Sequence, residues 1–95
     1  MVTYKIAHVN IQNQDMIFVL LDRQFGYRTE QEQEQFARYL QGCATSAGLK
    51  GHVVPTWEAP AGRSMFRGPQ EWHTFFGSIN LQWVWASVNK ELTCN

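Results

Sequence analysis

The sequence predicts a small α/β (or α+β) protein, a mixed three-stranded sheet in the order β-β-α-β-α-α with helices packed on it. Three observations predict it. Apolar residues alternate or run together in three short segments near residues 4–10, 16–21 and 51–57. A long, well-marked helix pattern separates the second segment from the third, and two further helical patterns follow Pro69. Ninety-five residues suit a single domain, with no room for a second core.

Tyr4, Ile6 and His8 alternate with Lys5, Ala7 and Val9, the pattern of a strand with one better-buried face. The polar stretch from Ile11 to Asp15 interrupts it, and Met16 to Leu21 then reads as a strand buried on both faces. A short polar break between two strands is a hairpin signal, although Asn-Gln is a weaker turn pair than Asn-Gly.

Thr29 followed by Glu32 three residues later is a capping box, and Glu30, Glu32 and Glu34 place negative charge near the positive end of the helix dipole. Phe36, Tyr39, Leu40, Cys43, Ala44 and Ala47 follow at spacings of three and four, and Gly48 is a natural stop. Gly51 to Trp57 is the third strand. Pro55 has no N–H for a ladder bond, so this strand should lie at an edge or bulge there. A strand, a helix and a further strand form a right-handed crossover with the two strands parallel.

Glu58 to Gly68 reads as a loop. Pro69 then opens a helix with Trp72, Phe75, Phe76 and Ile79 on one face. After Gly77-Ser78, Leu81, Val84, Trp85, Val88 and Leu92 form the stripe of a final helix. On that helix Trp83 projects about 160° from Trp85, so one packing surface cannot cover both rings. The expected core is Ile17, Val19, Leu21, Phe36, Leu40, Val53, Trp72, Phe76, Trp85 and Val88.

Composition narrows the function. Eight basic and eight acidic residues leave no net charge, which argues against a duplex nucleic-acid binder, whose affinity comes from phosphate neutralisation. With 17% charged and 14% aromatic residues, a fully polar exterior is hard to build, and this tilts the reading toward self-association or a stable partner. No signal peptide is visible, and the longest apolar stretch, Met16 to Leu21, is too short to span a bilayer. Cys43 and Cys94 match no disulfide framework or metal knuckle. Free thiols in a reducing, cytoplasmic compartment are the expectation.

No nucleophile elbow, P-loop or helical His pair is present, so no catalytic residue, cofactor or metal ligand is assigned, and an enzyme is the minority reading. His8, His52 and His73 read as ordinary surface or half-buried histidines. Two candidate surfaces remain. Arg23, Arg28, Arg63 and Arg67 fall in the loops after strands two and three, where open α/β sheets bind ligands, and form a candidate rim for a small anionic ligand. Trp83, with the apolar tip Met65-Phe66 in the Gly-flanked loop, is a candidate partner-binding surface, a symmetric dimer being the simplest form. The expected function is a small non-enzymatic protein-interaction module, possible homodimer included, with an anionic-ligand binder or enzyme as the alternative.

Overall fold

In the computed structural model, which describes residues 2–94, the chain forms β1 (Val2–Ile11), β2 (Gln14–Leu20), α1 (Glu30–Ser46), β3 (His52–Glu58), β4 (Ser64–Phe66), α2 (His73–Phe76), α3 (Leu81–Ala86) and β5 (Lys90–Cys94). Short 3-10 turns cover Arg23–Tyr27, Pro60–Gly62 and Gln70–Trp72. The strands make one mixed sheet in the order β4-β3-β2-β1-β5, with only β2 and β3 parallel.

The general class matches the sequence reading, while the strand count is five rather than three. β4 lies inside the segment read as a loop, and β5 occupies what was read as the end of the last helix. Three-residue β4 is too short to show a period. In β5 the inward residues Leu92 and Cys94 alternate with exposed Glu91 and Thr93, a period of two that the preceding helical stripe had absorbed.

Ile11 pairs with Gln14 across a two-residue turn in which Gln12 (φ 52°) and Asn13 (φ 66°) are both left-handed. This is the turn form whose twist matches a hairpin, here built without glycine. α1 follows the sequence signals closely. The Thr29 side chain accepts from the Glu32 N–H (3.1 Å) and the Glu32 carboxylate accepts from the Thr29 N–H (2.9 Å). Those bonds favour the ionised form and hold the Glu32 pKa below its usual value.

The sheet is covered on both faces. On one, α1 lays Leu40 and Ala44 over Ile6, Ile17, Val19, Val53, Leu92 and Cys94. On the other, the segment from Phe66 to Val84 packs Phe76 and Val84 against Ala7, Met16, Phe18 and Val54. Phe18 is fully buried there, with edge-on contacts to Phe66, Phe76 and Trp83 at 5.6–6.2 Å.

Of the expected core, Ile17, Val19, Leu40, Val53 and Phe76 are buried, and Leu21, Phe36, Trp72 and Val88 are partly so. Trp85 is the exception at 55% exposed. The expected orientation of the two tryptophans is reversed. α3 ends at Ala86, so Val88 and Leu92 no longer define its inner stripe. Val84 becomes the centre, and Trp83 and Trp85 lie about 100° to either side of it. Phe18 (5.6 Å) and Phe75 (6.1 Å) stand on the Trp83 side and draw that ring in.

Cys43 and Cys94 are also corrected. They are not free thiols but a disulfide, with Cα atoms 5.4 Å apart, that ties α1 to the edge strand β5 across 51 residues of sequence. No helix of the described residues is long and apolar enough to cross a membrane.

Two side-chain amides finish the ladders where strands run out. The Asn89 side chain accepts from the His8 N–H and donates to the His8 carbonyl, both at 2.9 Å, extending the β1–β5 pairing by one unit. The Gln41 amide does the same at the start of β3, donating to the Gly51 carbonyl (3.0 Å) and accepting from the Val53 N–H (2.8 Å). The strand with Pro55 is not at the expected sheet edge, since β3 lies between β4 and β2. β4 pairs with β3 only at Thr56–Glu58, so the proline nitrogen falls where that ladder ends and no donor is missed.

Candidate functional site

Between α1 and the β3–β4 hairpin lies a two-lobed cleft that begins past the carboxyl end of β3 and runs back along the strand toward its first residue, His52. One lobe, about 390 Å³, is bounded by Arg23, Gly26, Tyr27, Trp57, Pro60 and Met65. The other, about 590 Å³, runs along α1 past Glu34, Ala37, Arg38 and Gln41 toward His52 and His73. Glu30, Gln33, Trp57, Met65 and Arg67 belong to both.

Each wall has a local cause. The end of β3 and the N-terminus of α1 face one space, while the end of β2 borders the separate depression beside Tyr4. Trp57, the last apolar residue of β3, is 5% exposed and packs on Phe25 at 4.8 Å. Gly26 lets it do so, because a Cβ there would stand 2.7 Å from the indole Nε1. Alternation along β4 sends Met65 into the cleft and turns Phe66 toward the far face, where it stacks on Phe76 at 5.2 Å while still bordering the second lobe.

Arg67 stands at the centre. Its side chain is 24% exposed. Nη1 donates to Gln33 Oε1 (3.3 Å), and Nη2 donates to the Glu30 carbonyl (3.4 Å) and to Glu34 Oε2 (3.3 Å). The Glu30 carboxylate is 3.8 Å from Nη1 and 88% exposed. All are long for charge-assisted bonds, which settle near 2.7–2.9 Å. Nε is buried and has no acceptor at all. Gln33 is itself buried and fixed, its Nε2 donating to the carbonyls of Phe25 (3.2 Å) and Arg28 (3.3 Å), so Oε1 is held toward the arginine. The guanidinium is therefore positioned firmly and satisfied poorly.

The four arginines expected to form one rim do not come together. Arg23 and Arg67 share the first lobe, but Arg23 is consumed by Glu58, with Nη2 and Nε at 2.6 and 2.8 Å from Oε1. Arg28 lies across the 3-10 turn in a separate depression beside Tyr4 and Asp22, its guanidinium 5.4 Å from the Phe36 ring centroid. Arg63 is exposed beside Gly62 and lines neither lobe. The turn at Arg23–Tyr27 separates Arg23 from Arg28, which chain proximity alone does not reveal. Neither Trp83, turned inward, nor Phe66, packed under α2, offers a free ring, whereas Met65 remains at the cleft surface.

The histidines are dispersed. His8 donates from Nε2 to the Lys50 carbonyl (2.7 Å), which leaves Nδ1 to accept from Lys90 Nζ (2.8 Å). His52 and His73 lie along the second lobe with edge or tilted contacts to Trp72 and Phe76. Among the described residues no three His, Cys, Asp or Glu side chains are grouped to hold a metal ion.

Trp57 and Gln33 were not singled out as site residues from the sequence, whereas Glu30 was noted there for its charge at the start of α1. Gln33 had a usable signal: it sits three and seven residues before Phe36 and Leu40, so a polar amide falls on the apolar stripe of α1. A polar residue on a core face needs partners, and its partners lead directly to Arg67. In comparisons with protein-family models, curated proteins and solved structures, nothing matches this chain.

Proposed function

We propose that this chain is a small-ligand binding module whose site is the cleft between α1 and the β3–β4 hairpin. One observation carries the reading: a part-buried arginine with an unpartnered buried Nε stands in a cleft walled by Trp57 and Met65. A few convergent polar groups on an otherwise apolar concave surface are the usual makings of a ligand site. The lobes, about 390 and 590 Å³, suit a compact molecule. The test is a fragment panel followed by NMR at the Trp57 indole N–H. Fragments that shift that resonance in the wild type and fail to do so in Trp57-retaining Arg67→Ala support the reading. A panel that never perturbs Trp57 sinks it.

A second reading, association with another copy of the chain, now rests on Trp85 instead of Trp83. Trp85 is 55% exposed, with Lys5 Nζ 6.0 Å from its ring centroid. A molar mass that rises with concentration and returns to the monomer value in Trp85→Ser supports it. The Cys43–Cys94 bond bears on location as well. Such bonds persist in oxidising compartments and are scarce in the cytoplasm, so we place the protein in the former. Intact mass of the protein recovered from its own cells under thiol-blocking conditions decides this, by a two-hydrogen deficit or its absence.

A further inference from the structure

We propose that the ligand of this cleft is a small monocarboxylate with a flat apolar body, bound by Arg67 in competition with the protein's own Glu34 and Glu30. The inference rests on the cleft being a ligand site and adds the chemistry that selects its occupant.

The reasoning begins with what already touches Arg67. A guanidinium carries five N–H donors in a planar fork that matches the edge of a carboxylate. Here the fork meets two side-chain carboxylates, neither of which fits it. Glu34 Oε2 reaches only Nη2, at 3.3 Å, and its other oxygen lies 3.4 Å from Arg38 Nε, so the group is divided between two cations. Glu30 stands 3.8 Å away with its side chain almost wholly in water. Both glutamates are at least half exposed and both contacts are long, so exchanging either for a ligand carboxylate costs little while Arg67 stays paired.

A ligand carboxylate entering from the Trp57 side would take Nη2 from Glu34 and Nη1 from the distant Glu30, completing the paired contact that no side chain of this protein makes. Glu34 would remain satisfied by Arg38, four residues along the same helix. The third acidic group near the cleft is not a competitor, because Arg23 holds Glu58 at 2.6 Å.

The charge balance bears on the valence. Glu30, Glu34 and Glu58 offset Arg23, Arg38 and Arg67, so no excess positive charge favours a dianion such as phosphate over a monoanion. The remainder of the ligand meets the Met65 side chain and the edge of the Trp57 ring, which favour a flat apolar group over a hydrated one.

The test uses indole-3-acetate and its neutral isostere indole-3-acetamide, each titrated into the full chain with the Trp57 indole resonance as readout. The acetate should bind about tenfold more tightly than the amide, the difference expected of one charge-assisted contact. Arg67→Lys, which keeps the charge and loses the fork, should remove most of that preference. Glu34→Gln, a change on an exposed helix face, should strengthen acetate binding by roughly threefold and leave the amide unchanged. Inorganic phosphate should not compete. Equal affinities for acetate and amide, or acetate binding unaffected by both substitutions, would overturn the monocarboxylate assignment while leaving the cleft a ligand site. Phosphate displacing the acetate overturns it too. If neither indole compound nor any fragment moves Trp57, the ligand-site reading falls, and the inference with it.

Discussion

The two faces of the sheet are built in different ways. One is covered by α1, a single helix of 17 residues with a complete capping box, aliphatic contacts and a disulfide at its far end. The other is covered by helices of four and six residues, joined by turns and held by a chain of aromatic contacts around Phe18. A long helix shows its buried stripe over several turns, so its orientation can be read before any partner is known. A helix of one or two turns has no such redundancy. Its orientation is decided by whichever ring is nearest, and the Trp83–Trp85 reversal is the result.

The comparison can be broken most forcefully at the disulfide. Closing a loop of 51 residues removes unfolded-state entropy worth about 4 kcal/mol on a chain-entropy basis. Unfolding in urea with and without reductant, or of Cys94→Ser, should show a loss near that size. Unchanged midpoints would mean that the bond does not form in solution and that α1 and β5 hold without it.

On the aromatic face, Trp83→Ala should cost about 2–3 kcal/mol, somewhat less than truncating a fully buried ring. The matched Trp85→Ala should fall within about 0.5 kcal/mol of wild type in stability. Chemical denaturation of the pair decides which ring belongs to the core. If the order reverses, α3 is rotated and the helix extends as its sequence suggests.

Next comes the capping box. Thr29→Ala should destabilise by about 1 kcal/mol. Because the folded-state pKa of Glu32 is lowered, its contribution is present above the unfolded carboxylate range and is lost as pH falls through the folded value. The Thr29→Ala difference from wild type should therefore shrink on acidification below the ordinary glutamate range. A difference that stays constant down to low pH would assign the effect to the hydroxyl alone.

The smallest change concerns the hairpin. Gln12 and Asn13 both adopt positive φ, a region that costs most L-residues energy and costs glycine none. Asn13→Gly should raise the unfolding free energy by about 0.5 kcal/mol, measured in the same unfolding series.

The candidate site was legible only in outline. Its start past the carboxyl end of β3 follows from strand, helix and strand in succession, and Arg23, Met65 and Arg67 were among the residues singled out. Their pairing was not legible. Which arginine meets a carboxylate depends on a 3-10 turn that sends Arg23 toward Glu58 and Arg28 toward Phe36. Gln33 could have been recognised by its place on an apolar stripe, whereas Trp57 looked like any strand residue.

By itself the sequence determined what neighbouring residues can decide between themselves. The hairpin, the capped helix α1, the parallel β2 and β3 and half of the expected core follow from period, caps and turn chemistry within a few residues. Tertiary structure alone decided the rest: that β5 leaves the helical pattern to pair with β1, that Cys43 meets Cys94, and that Trp83 turns inward while Trp85 does not. Those outcomes join residues far apart in the chain, and their energies come from partners that no local window contains.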